Sequence, residues 1–161
     1  MRGVILVEGD CGDDILSVAR AHPAVLKAFR TMGKYAAVMI FDGDMDALRF
    51  LIGEINRMDC VWDGQTILEL EFGMRQPPVQ AEGHFRALLL FTEHGGKDLD
   101  LDQSFEEHAK TVPGVVEAFS LLGIHDDVAL VKFDDMQDLQ ALVKQLESPS
   151  IRLVDIILEQ S

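Results

Sequence analysis

Basic residues are scarce in this 161-residue chain: 14 Lys+Arg stand against 28 Asp+Glu, a formal net charge of −14. So acidic a surface repels phosphate backbones, which bind through Lys and Arg with release of counterions, and direct nucleic-acid binding is not expected. Long apolar runs are missing as well. The longest, such as Ala87 to Phe91, fall far short of the roughly 20 residues of a membrane helix, so no membrane contact is expected. At the N-terminus only Val4-Ile5-Leu6-Val7 precedes Glu8, too short and too soon acidic for a secretory signal, and a cytoplasmic location is expected. Cys11 and Cys60 are the only two cysteines and have no C-x-x-C spacing. Neither a metal site nor a disulfide framework is indicated, and both are expected to be free thiols. Gly-x-Ser-x-Gly, P-loop and dinucleotide fingerprints are absent, so the sequence offers no catalytic constellation and no cofactor motif. What remains is an ordinary folded composition, 48% hydrophobic and 26% charged.

An internal repeat organises the chain. At an offset of 90, Pro23, Val25, Ala28, Phe29 and Gly33 coincide with Pro113, Val115, Ala118, Phe119 and Gly123. With one residue of slippage Asp44-Met45 falls on Asp135-Met136, and Leu48, Leu51, Ile52 and Ile55 fall on Leu139, Leu142, Val143 and Leu146. Both stretches carry the i, i+3, i+4, i+7 stripe of a helix with one buried face. The period is too long for a solenoid unit and reads as duplication of a small domain. The pattern predicts a first repeat over 1–73, a Pro/Gly-rich linker over 74–84 and a second repeat over 85–161.

Each repeat reads strand, helix, strand, strand, helix, strand. The first copy places these near 3–8, 13–21, 25–32, 36–42, 45–58 and 65–72. The second places them near 85–92, 101–111, 115–122, 127–133, 136–147 and 152–159. The order predicts an α+β fold of two ferredoxin-like βαββαβ repeats. The first and third strands of each copy are apolar without alternation, as in Val4 to Val7 and Val128 to Val131, so they are expected to be central and buried on both faces. Helices cover one face only. The expectation is therefore that the two sheets pack face to face as a dimeric α/β barrel.

The stretch from Val112 to Asp135, with its Pro-Gly-Val strand entry, its Gly-x-x-Asp hairpin of Gly123 and Asp126 and the helical stripe that follows, resembles the ligand-binding domain of the Lrp/AsnC transcription-regulator family. The first copy resembles it more weakly, since Ala36 stands where the Asp falls. The resemblance implies a dimeric α/β barrel with small effectors, such as amino acids, bound near the hairpin and at subunit interfaces. Regulators of that family carry a DNA-binding domain ahead of this one, whereas here the first strand starts at Gly3. The expectation is a stand-alone, non-catalytic sensing or oligomerising module, not an enzyme. Its partners are expected to be a small-molecule effector and a second copy or another protein. The competing expectation is a small enzyme of the same barrel class, such as a monooxygenase or a haem-binding protein.

The candidate ligand-binding residues follow from the hairpins. Gly33 and Gly123 suit tight turns where φ is positive. His125 offers a switchable donor and Asp126 a carboxylate for an ammonium group, while Tyr35 beside Lys34 supplies a phenol in the first copy. The acidic clusters Asp42 to Asp46 and Asp98 to Asp102 lack the spacing of a calcium loop and are expected to cap helices. The five histidines show no metal-ligand spacing.

Overall fold

In the computed structural model, residues 1–69, 79–93, 105–122 and 125–160 are described. The chain divides into two compact units, Met1–Glu69 with Glu159–Ser161, and Leu70–Leu158. The first contains β1 (Arg2–Gly9), α1 (Gly12–Ala21), β2 (Val25–Arg30), β3 (Ala37–Asp42), α2 (Met45–Asn56) and β4 (Val61–Glu69). The second contains β5 (Phe85–Glu93), α3 (Phe105–Lys110), β6 (Val115–Leu122), β7 (Asp127–Phe133), α4 (Met136–Leu146) and β8 (Ile151–Leu158). Both have the βαββαβ order, and the chain is α+β.

In the first unit β1 is flanked by β3 and β4, and β2 pairs with β3, all antiparallel. The second unit repeats this connectivity, with β5 between β7 and β8 and β6 on β7. The unbroken apolar strands are thus the central ones. Along β1 and β3, Ile5, Val7, Ala37, Met39 and Phe41 pack with Ile15, Leu16 and Ala19 of α1 and Leu48, Leu51 and Ile55 of α2. Val4, Leu6, Val38 and Ile40 point to the opposite face by strand alternation and are fully buried too. In the second unit Ala87, Leu89 and Phe91 pack with Phe105, Leu139, Leu142 and Leu146. At about 1.5–3 kcal/mol per fully buried large apolar side chain, these layers dominate the stability of each unit.

The acidic residues ahead of α2 and α4 cap them. Asp44 accepts from the Ala47 N–H at 2.8 Å and Asp135 from the Asp138 N–H at 2.9 Å. The cluster from Asp98 to Asp102 lies outside the described residues, as do His94, Gly123 and part of the 74–84 linker.

Two expectations are corrected. β4 begins at Val61 rather than near 65, because a register shift at Glu8/Gly9 lets Val61 pair with Gly9 beyond the exposed Asp63-Gly64 stretch. Cys11 and Cys60 are not free thiols. Separated by 49 residues, they approach to a Cα–Cα distance of 5.8 Å and form a disulfide within the first unit. C-x-x-C spacing finds only pairs close in sequence, whereas these two meet because α1 starts where β4 begins to pair. No helix among the described residues is long and apolar enough to cross a membrane.

Candidate functional site

In the second unit the chemistry gathers where the β6–β7 turn meets the end of β5. The Asp126 N–H donates to the Phe91 carbonyl at 3.0 Å, and the Asp126 carbonyl accepts from the Leu121 N–H at 2.6 Å. This seats Asp126 beside the C-terminal residues of β5. Its Oδ2 then accepts from the Thr92 hydroxyl at 3.0 Å and the Glu93 N–H at 2.8 Å. Next to it the buried Asp127 accepts from the Ser120 hydroxyl at 2.7 Å. His125 is half-buried, and burial lowers its pKa below the usual 6.5, with partial opposition from the negative charges of Asp155 and Asp126. Asp155 reaches this corner because β8 lies beside β5, where it pairs with Leu90.

The corresponding turn of the first unit has different chemistry. Gly33 adopts φ +104° with nothing within 4 Å of the position a Cβ would take, so the turn needs its glycine for backbone reasons. Lys34 lies 2.8 Å from Glu8 and sits over the Tyr35 ring at 5.3 Å. Hydrogen bonding to Glu8, then the charge of Tyr35 and of Glu8, raises the Lys34 pKa. Tyr35 is only 6% exposed, and its carbonyl accepts from the Thr31 hydroxyl at 2.6 Å. Ala36 occupies the backbone role of Asp126: its N–H donates to Val7 and its carbonyl accepts from Thr31.

Of the residues singled out from the sequence, His125 and Asp126 share one corner, Gly33 and Tyr35 share one turn, and Gly123 lies outside the described residues. Sequence reasoning missed Thr92, the Glu93 N–H and Asp155. The last was detectable as the one acidic residue in the largely apolar stretch Ile151 to Leu158. Other histidines have local partners: His84 Nδ1 meets Asp134, His108 Nε2 meets the Gln145 carbonyl at 2.7 Å, and His22 accepts from the Ala24 N–H at 3.3 Å. Among the described residues His125 makes no hydrogen bond.

The hairpin and the strands around it connect this corner to known proteins. Residues 93–157 match the Lrp/AsnC ligand binding domain. No curated protein sequence matches the chain significantly. Among solved structures, the siroheme decarboxylase NirDL is similar over 100% of this chain and 71% of its own, with a TM-score of 0.64 at 8% identity. The same enzyme in co-complex with an iron-uroporphyrin III analogue gives a TM-score of 0.62 at 9% identity, with the same coverage. An Arg-to-Lys mutant of chlorite dismutase from Candidatus Nitrospira defluvii is similar over 99% of this chain and 91% of its own, with a TM-score of 0.61 at 5% identity. At such identities the likeness is one of fold. These solved structures are of enzymes, a decarboxylase and a dismutase, so the comparisons stand against the expectation of a non-catalytic, non-enzymatic sensing module and favour the competing one of a small enzyme of this fold.

Proposed function

We propose that this chain is a small enzyme acting on an iron tetrapyrrole that bears carboxylates. The observation that carries the proposal is the similarity to a siroheme decarboxylase over 100% of the chain at a TM-score of 0.64, the same enzyme being similar in its co-complex with an iron-uroporphyrin III analogue. The tetrapyrrole enters as substrate, not as a resident cofactor. In the second unit the layer between sheet and helices is filled by Ala, Leu, Val and Phe side chains, with the Phe91 and Phe105 rings 5.0 Å apart, and this apolar set offers no iron ligand. Part of the same proposal is that the two units are copies of one duplicated module of the dimeric α/β barrel class, bounded as 1–73 and 85–161, at work in the cytoplasm.

His125 is the proposed proton carrier. Loss of CO2 from a carboxylate leaves an electron pair on carbon that must take up a proton. A half-buried imidazole with a lowered pKa is neutral near pH 7 and can relay that proton from solvent. Asp126 orients the neighbouring backbone through Thr92 and Glu93; within the second unit Gly123, and separately within the first unit Gly33 and Tyr35, are proposed ligand contacts.

The test is incubation with siroheme and with iron-uroporphyrin III under reducing, anaerobic conditions. The expected result is a perturbed Soret band and mass loss corresponding to CO2, with His125→Ala retaining the spectral change but losing turnover. An unperturbed Soret band together with unchanged ligand mass overturns the proposal.

A further inference from the structure

Asp10, Cys11 and Cys60 take no part in the proposed reaction, yet the backbone brings them together. Gly9 ends β1 at the register shift and lies so close to Cys60 that a Cβ on it would fall 2.4 Å from the Cys60 carbonyl oxygen. The next N–H, that of Asp10, donates to this same carbonyl at 3.2 Å, while the Cys11 carbonyl accepts from Ile15 at 3.0 Å. Residues 9 to 11 are thus held on both sides, by residue 60 and by the first turn of α1. Cys11 is the N-cap of that helix, and its side chain makes no capping hydrogen bond. A carboxylate oxygen of Asp10 and the sulfurs of Cys11 and Cys60 consequently all lie within 4.8 Å of one another.

The neighbouring charges mark Asp10 out. Asp13 is paired with Arg30 at 3.1 Å and Glu8 with Lys34 at 2.8 Å. Among the described residues Asp10 has no such cation. Once the disulfide is reduced, two thiolates and a carboxylate held together by this backbone repel one another, and one helix N-terminus offsets only part of that. A dication offsets two of these three charges.

We propose that Asp10, Cys11 and Cys60 form a divalent-metal site in the reduced protein, of the thiolate-rich class that suits Zn2+, with water completing the tetrahedron. At Zn–S bonds of about 2.3 Å, tetrahedral geometry places two sulfurs roughly 3.8 Å apart, a separation that side chains on Cα atoms 5.8 Å apart can reach once the disulfide is reduced. The disulfide closes the site by consuming both sulfurs. A dithiol donor opens it: the S–S bond takes up two electrons and two protons, the donor is oxidised to its own disulfide, and metal binding releases the two cysteine protons to solvent. Metal loading is therefore coupled to the thiol poise of the compartment.

The experiment titrates Co2+, a spectroscopic stand-in for zinc, into the full chain after reduction with a phosphine and into the oxidised chain. Reduced protein is expected to take up one equivalent with a thiolate-to-cobalt charge-transfer band that Zn2+ bleaches, and oxidised protein none. Asp10→Asn keeps both thiols and is expected to weaken Co2+ binding by about ten-fold or more. Cys60→Ser is expected to abolish the band. Should that variant fail to fold, protection of the wild-type thiols from alkylation by added Zn2+ gives an independent reading. Cobalt uptake without a thiolate band, undiminished affinity in Asp10→Asn, or alkylation unaffected by Zn2+ each overturns the assignment.

Discussion

At Asp126 a single carboxylate oxygen accepts from the Thr92 hydroxyl and the Glu93 N–H. Asp126→Ala leaves two partly buried donors without their acceptor, so a loss of about 1–3 kcal/mol is expected in urea unfolding. Asp126→Asn, which keeps one acceptor oxygen, is expected to lose less; equal losses in the two variants would remove Asp126 from this bracing role. Its neighbour His125 sets a pH dependence of definite sign. Burial lowers its pKa below 6.5 in the folded chain, so as pH falls past 6.5 the unfolded chain takes up the proton first. Stability is intact above about pH 6.5 and declines below it until the lowered folded value is passed. The check is the urea midpoint followed from about pH 8 to about pH 5, where His125→Gln is expected to flatten the decline. An identical profile in that variant would place the titration elsewhere.

The helices and strands follow rules that the sequence displays directly. The stripes Leu48, Leu51, Ile55 and Leu139, Leu142, Leu146 are buried as spaced, and the unbroken apolar strands are the central ones because burial on both faces disfavours polar residues that lack a partner. Asp44 and Asp135 cap α2 and α4 by the same hydrogen bond, to the N–H three residues on, and Ala at either position is expected to cost about 1 kcal/mol. Parallel unfolding curves for the two variants check this; Asp46→Ala, one residue inside α2, serves as the control and should change little. Even the irregularities repeat: β2 shifts register between Val25 and Lys27, and β6 between Val115 and Glu117. The start of β4 and the disulfide were not legible. Trp62, Asp63 and Gly64 look like loop because each is exposed, yet their backbone pairs with β1. The meeting of Cys11 with Cys60 depends on that pairing, a long-range contact that no local pattern records. The corner at His125 was half legible: the turn residues stand out by type, whereas Thr92 and Asp155 are brought there only by strand register.

For the whole molecule the net charge of −14 bears on the proposed substrate. A tetrapyrrole with several carboxylates is itself a polyanion, so long-range repulsion opposes its approach, whereas short-range contacts to the ring and its iron act at distances salt hardly reaches. The Debye length is about 10 Å at 0.1 M salt, so added salt screens the first term and leaves most of the second. Association of iron-uroporphyrin III with the chain is therefore expected to speed up as salt rises from about 0.01 M toward about 0.2 M, the opposite of the steering that accelerates oppositely charged pairs. Stopped-flow measurement of the Soret change against salt concentration reads this directly. An association rate that falls steeply with salt would mean that a local cluster of cations outweighs the acidic surface. The substrate contacts would then lie among the Lys and Arg side chains rather than at the acidic corner of His125, Asp126 and Asp155.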